Sequence, residues 1–172
     1  GTKNSKPVTI TSTDYVDPGT NLTVTIKPDT GYVVKNPGEA WTAVDNSDDH
    51  TYTIHNVRAD QTLSADFAAL NKYAISYSVA AVGGNDNGTL TANTVRKNMV
   101  AYTYDLSSGA EVYEGSDLTF TAAPDDGYRV QEWRVNGEVY QESGAAFIGT
   151  QLVLRGVDAE KTVMVQFMPL GD

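Results

Sequence analysis

GTNLTVTIKPDTGY, from Gly19 to Tyr32, returns as GSDLTFTAAPDDGY from Gly115 to Tyr128, at a constant offset of 96 positions. A cassette of alternating apolar and threonine positions, closed by Pro-Asp-x-Gly-Tyr, specifies a β unit, and its recurrence specifies a tandem pair of them. In Leu118-Thr119-Phe120-Thr121-Ala122 the apolar side chains take one face and the threonines the other, and Leu22-Thr23-Val24-Thr25-Ile26 has the same period of two. Both read as half-buried strands, in which β-branched threonine favours extended backbone on the wet face. Pro28 and Pro124 end them, because proline has no amide to give the ladder. Gly31 and Gly127 fall where a tight turn needs positive φ, and the Asp29 and Asp125 side chains are placed to bond nearby amides.

A second shared block lies further along. Tyr52, Ile54, Val57, Thr62, Leu63, Ala65 and Phe67 align with Leu152, Leu154, Val157, Thr162, Val163, Val165 and Phe167 at an offset of 100, so four residues separate the spacings of the two copies. Homologous units diverge in this way, with strands keeping their pattern and connections absorbing length. In the second copy residues 128–135 lead into Asn136-Gly137, a strong hairpin signal, with a return over 138–141. Strands over 151–154 and 162–167 follow, about a turn at 158–161 whose counterpart in the first copy is 58–61. The second copy also opens with a hairpin, 73–79 returning at 89–91. The first begins only at Val8-Thr9-Ile10-Thr11, which matches the returning strand. The first repeat is therefore expected to be N-terminally truncated, with an unpaired edge suited to strand addition. Helical signals are weak: residues 37–44 allow one short turn, and 93–106 are ambiguous.

The expected fold is mainly β: two tandem small β-repeat domains, β-grasp-like or small sandwich-like, with little helix. Residues 1–71 form the first and 72–172 the second, more complete one, with an insertion near 93–109. The chain has 172 residues and no cysteine, so each unit depends on apolar burial without disulfides or thiolate metal sites. That composition fits an exported or a cytosolic protein alike. A net charge of −10 disfavours nucleic acid and anionic membranes as partners, and because the carboxylates are scattered through turns it reads as a solubility device. No segment approaches the ~20 apolar residues of a membrane span, and no signal peptide opens the chain, which is expected to derive from a longer polypeptide.

The run GSDLTFTAAPDDGYRVQEWRVNGE, followed after a gap by LVLRGVDAEKTVMVQF, resembles the divergent InlB B-repeat of bacterial surface proteins, with its "G..V.L.A.P..GY.F..W..NG" pattern and final "T.V.A.F" strand. Gly115, Leu118, Phe120, Ala122, Pro124, Gly127, Tyr128, Trp133, Asn136, Gly137, Thr162, Val163, Val165 and Phe167 carry the likeness, which covers nearly all of 73–168 apart from 93–109. In the first copy Gly19, Leu22, Val24, Ile26, Pro28, Gly31, Tyr32, Thr62, Leu63, Ala65 and Phe67 conform, but the tryptophan is displaced to Trp41 and no Asn-Gly follows, which puts its central hairpin in doubt. The resemblance implies an extracellular or cell-wall location and a non-enzymatic stalk, spacer or adhesive module. Targeting and anchoring signals would lie outside this segment. The implied partners are a protein or glycan on host or neighbouring cells, met by a monomer with edge-strand contacts.

The rival is a carbohydrate-binding module accessory to an extracellular enzyme, with Tyr32, Trp41, Tyr128 and Trp133 as an aromatic platform for sugar rings. Against it, an aromatic on an alternating strand usually buries its large apolar surface. Asp45-Asn46-Ser47-Asp48-Asp49 and Asn85-Asp86-Asn87 look like pieces of calcium loops, but lack the glycine and distal glutamate of an EF-hand and read as solvated turns. His50 and His55 lack a third placed ligand, so no metal or cofactor is expected. Asp125-Asp126, Glu111 and Glu114 sit in turns rather than across a cleft, and no nucleophile elbow or phosphate loop is present, so no catalytic residue is assigned. Asn21-Leu22-Thr23 and Asn87-Gly88-Thr89 match the glycosylation sequon, a coincidence in a bacterial protein. Composition allows a Lys-Asn isopeptide cross-link, though no spacing identifies one.

Overall fold

The computed structural model describes residues 7–10, 15–44, 47–96 and 102–171, and side chains throughout these except at 7–10, 102 and 103. The chain divides into two compact units that meet between Leu70 and Asn71. The described residues contain strands and turns and no helix. The first unit holds β1 (Pro7–Ile10), β2 (Leu22–Ile26), β3 (Tyr32–Lys35), β4 (Thr42–Ala43), β5 (His50–Ile54) and β6 (Leu63–Ala69). The second holds β7 (Lys72–Ala80), β8 (Gly88–Arg96), β9 (Tyr102–Asp105), β10 (Ala110–Tyr113), β11 (Asp117–Pro124), β12 (Tyr128–Val135), β13 (Glu138–Val139), β14 (Gln141–Glu142), β15 (Ala145–Ala146), β16 (Gln151–Leu154) and β17 (Lys161–Pro169).

The second unit is a small sandwich. One sheet runs β10-β7-β17-β12-β13 and the other β16-β11-β8-β9, with β14 and β15 as a separate hairpin. Alternation decides the packing: Leu118, Phe120 and Ala122 of β11 point inward, as do Val163, Val165 and Phe167 of β17. They join Ile75, Ala92, Val112, Val130, Trp133, Leu152 and Val157 in one apolar cluster between the sheets. The Tyr77 ring meets Phe120 edge-on at 5.8 Å, and the Tyr77 hydroxyl donates to the Leu106 carbonyl at 2.6 Å, so its polar end is satisfied. At Gly88 a Cβ would lie 2.6 Å from the Phe167 ring of the opposite sheet and 2.7 Å from the Ala123 carbonyl of the neighbouring strand β11.

The first unit repeats the central part of this plan residue for residue. β3 pairs with β6 as Tyr32↔Ala69 and Val34↔Phe67, and β12 pairs with β17 as Tyr128↔Pro169 and Val130↔Phe167. β2 pairs with β5 as Leu22↔Ile54 and Val24↔Tyr52, matching Leu118↔Leu154 and Phe120↔Leu152. The turn bonds also recur: Tyr32 N donates to Asp29 O at 2.9 Å and Tyr128 N to Asp125 O at 3.0 Å, while Leu70 donates to Gly31 and Leu170 to Gly127, both at 2.8 Å. The backbone carbonyl of each aspartate therefore accepts the bond that closes the turn. Gly31 and Gly127 have φ of 84° and 83°, as expected of the turn glycine.

Several expectations change. Residues 37–44 form a turn, Trp41 N donating to Gly38 O at 3.2 Å, and then the short β4 on β5; the Asn36-Pro37-Gly38 run, with Asn36 and Gly38 at positive φ, prevents helix. Residues 93–96 continue β8, and 102–105 pair back on them as β9, from Asn93↔Asp105 to Arg96↔Tyr102, so the described part of the expected insertion is largely strand. The return after Asn136-Gly137 is strand only to Val139; one more in-register bond, Tyr140 N to Trp133 O, follows before the chain leaves in the β14–β15 hairpin. The expected opening hairpin of 73–79 with 89–91 does not form, because β7 pairs with β17 and β10 in one sheet and β8 with β11 and β9 in the other. Pro7–Ile10 does not match the returning strand β8. It lies antiparallel on β6, the place that β7 takes beside β17 in the second unit; Thr11 is outside the described residues.

Among the described side chains, the buried apolar residues of the first unit are Ile26, Val34 and Ala65, with Trp41 and Phe67 packed against them. This is a far smaller core than its neighbour's. Urea should unfold the chain in two transitions, the first unit melting earlier. Phe120→Ala should lower the second transition by about 3–5 kcal/mol and leave the first in place, whereas Val24→Ala should lower only the first, by about 1 kcal/mol. Tryptophan and tyrosine fluorescence during the titration checks both.

Candidate functional site

The four aromatic residues proposed from sequence fall into two groups. Trp133, on β12, is wholly buried, and its indole Nε1–H donates to the Gly149 carbonyl at 2.8 Å. The segment after β13 folds over it: Tyr140 N bonds to Trp133 O, Phe147 N bonds to Tyr140 O, and the Tyr140 and Phe147 rings pack edge to face at 5.9 Å. Gly149 lies beneath the Phe147 ring, where a Cβ would stand 2.5 Å from that ring. Trp133 thus has neither a free face nor a free N–H for a sugar. Tyr128 is half-buried against the same cluster.

Trp41 and Tyr32 are half-buried in the first unit. Trp41 packs on the small core there, and its ring partner is Tyr52, at 5.3 Å with the planes tilted by 44°. The tilt keeps the two rings from forming one flat platform. Stacking on a sugar needs coplanar faces open to water.

The polar candidates are turn residues. Asp45 and Asn46 lie outside the described residues; after them, the Ser47 hydroxyl accepts from Asp49 N at 3.1 Å and His50 Nδ1 bonds to Asp48 O at 2.9 Å. Asn87 has φ of 59° just after the Val82↔Asn85 bridge, and its side-chain amide donates to Asn85 O at 3.4 Å, so it is a turn residue. No group of three or more His, Asp or Glu that could hold a metal ion is found among the described residues. Asp125 and Asp126 are exposed at the turn before β12.

One polar device escaped the sequence reading. The Asn21 side-chain oxygen accepts from Asn56 N at 3.0 Å, and Asp117 Oδ1 accepts from Gly156 N at 2.9 Å. Residues 56 and 156 both have positive φ, 53° and 63°. Flanking this clamp, Gly19 N donates to Val57 O and Val57 N to Thr20 O, while Gly115 N donates to Val157 O and Val157 N to Ser116 O, all between 2.7 and 2.9 Å. The clamp was findable, since an Asx at position 21 or 117 and a residue tolerant of positive φ at 56 or 156 recur at the two offsets. It explains the Asn21-Leu22-Thr23 triplet as a structural requirement for the asparagine.

These features define a class: tandem, cysteine-free β-repeat modules whose recurring residues are spent on strands, turns and core. The chain belongs to the divergent InlB B-repeat domain family, which matches residues 2–71 and again 77–169. No curated protein and no solved structure matches it. No helix among the described residues is long and apolar enough to cross a membrane.

Single-tryptophan variants check the assignment of the aromatics. With Trp41→Phe, the remaining Trp133 should emit at short wavelength and resist acrylamide quenching; with Trp133→Phe, the remaining Trp41 should be quenched several-fold more readily. Equal quenching of both would place Trp133 at the surface.

Proposed function

We propose that this chain is a non-enzymatic repeat segment of a bacterial cell-surface or secreted protein, a spacer that carries tension and presents neighbouring domains. One observation carries the reading. In the second unit the opening strand β7 and the closing strand β17 lie side by side and parallel, paired from Lys161↔Ile75 to Gln166↔Ala80. Tension on the two ends of that unit pulls parallel neighbours along their length in opposite directions, so the ladder is loaded in shear and its hydrogen bonds must fail together. Family membership supports the location, and a core filled by the recurring aromatic and aliphatic residues supports a structural role over a catalytic one. The glycan-binding alternative loses support from the buried Trp133 and the tilted Trp41–Tyr52 pair.

The first unit is built differently under load. There β1 and β6 are antiparallel, with Pro7 opposite Asp66 and Ile10 opposite Leu63, so tension opens the pairing from one end, bond by bond. Pulling the chain by its termini should therefore give two unfolding events. A low-force event releasing about 200 Å should precede a high-force event releasing about 300 Å, at the reach of an extended chain. A second unit that yields at the same low force would remove the support for a tension-bearing role. Binding on a glycan array would revive the alternative.

A further inference from the structure

The first unit has a site that the second fills internally. In the second unit β8 covers one edge of β11 over eight register pairs, from Asp117↔Val95 to Pro124↔Gly88. β2 is the counterpart of β11, with the same register to its other neighbour, yet its sheet runs β2-β5-β4 and among the described residues no strand pairs with its outer edge. The side chains register the difference. Leu118 and Phe120 are wholly buried, whereas Leu22 and Val24 at the matching positions are only half-buried.

The direction of the exposed backbone groups follows from the second unit. Ala122 N bonds to Thr150 O, on the β16 side, and Asp125 N bonds to Asn87 O, on the β8 side. Because strand amides alternate in direction, the residues at 119 and 121 aim their amides at β8. By the same alternation Thr23 and Thr25 aim theirs at the open edge of β2. Several other edges carry blunting residues, Glu111 on β10, Glu138 on β13, Lys35 on β3 and Pro7 on β1, while the uncharged edges β16 and β4 are shorter than β2, at four and two residues. The sequence of β2, LTVTI, has neither charge nor proline.

We propose that the outer edge of β2 is a strand-acceptor site, occupied by an extended segment of another polypeptide that has the alternation of β8. The second unit supplies the template. Leu90, Ala92 and Thr94 stand opposite Ala122, Phe120 and Leu118, so an incoming strand sets a bulky apolar residue opposite Ile26 and small ones opposite Val24 and Leu22. Main-chain hydrogen bonds supply affinity and this size pattern supplies selectivity. The site is independent of whether the chain bears tension.

The test uses the whole chain and a synthetic peptide of residues 88–96, GTLTANTVR. Saturating peptide should slow amide exchange at Thr23 and Thr25 by about tenfold or more. The same peptide N-methylated at Thr91 and Asn93, whose amides face β11 in the parent pairing, should give no slowing. Thr23→Pro should abolish binding while both unfolding transitions persist; if that variant loses the first transition, the N-methylated peptide still decides the matter. No slowing, slowing confined to the second unit, or equal slowing by the N-methylated peptide would overturn the proposal. So would amides at 23 and 25 that are slow before peptide is added, because the edge would then be held by this chain itself, or self-association through β2 that grows with protein concentration, because a second copy would be the occupant.

Discussion

The structure depends on one apolar layer between two sheets. With no cysteine in the chain, nothing covalent relieves that layer of its task, and small units bury only a modest share of their surface. The second unit meets the constraint by bringing strands from both sheets to one cluster that includes Phe120, Trp133 and Phe167. Gly88 sets how closely the sheets can approach, since any side chain there would occupy the space of the Phe167 ring. Among the described residues, the first unit has the same inner strands in the same register but fewer covering strands, and its buried cluster is Ile26, Val34 and Ala65. Strand cover, more than the cassette itself, sets how large a core each copy can close.

Why the inner part recurs so faithfully is explained by backbone bonds. The glycine at 19 or 115, the Asx at 21 or 117, and the turn glycine at 31 or 127 each fix a chain crossing where two strands leave the sheet and must still satisfy their amides. Changing any of them leaves a polar group unpaired or forces a side chain into positive φ. The outer strands of the second unit have crossing bonds of their own, such as Gly109 N to Ile75 O and Asp125 N to Asn87 O, outside the cassette. Outer strands can be lengthened, as in β8 and β9, or re-laid, as β1 is on β6, without disturbing the inner register.

Much of this was legible in the sequence, for a physical reason: alternation and turn chemistry are local. The inner strands, the Pro-Asp-x-Gly-Tyr turn and the Asn136-Gly137 hairpin follow from residues within a few positions of one another. What was hidden is pairing at long range. That Pro7–Ile10 lies on β6, or that 102–105 pairs back on β8, depends on which edge is vacant after other strands have paired, and no local pattern encodes a vacancy. The aromatic candidates were ambiguous for a related reason. Trp133 and Trp41 both sit near alternating segments, but only Trp133 is followed by the 140–149 segment that closes over its ring and accepts its N–H.

The same geometry gives the two units different mechanical and associative properties from nearly one cassette. A parallel pair of terminal strands forms only when a unit keeps its opening strand next to its closing one, because antiparallel neighbours place the loaded ends together and parallel ones place them apart. The strand that follows β7 in the chain, β8, joins the other sheet and covers the β11 edge. The β7–β8 segment thus gives each sheet one strand, a parallel neighbour for β17 and a cover for β11. In the first unit no described strand pairs with the outer edge of β2, whose sequence carries no charge, and β1 lies antiparallel on β6.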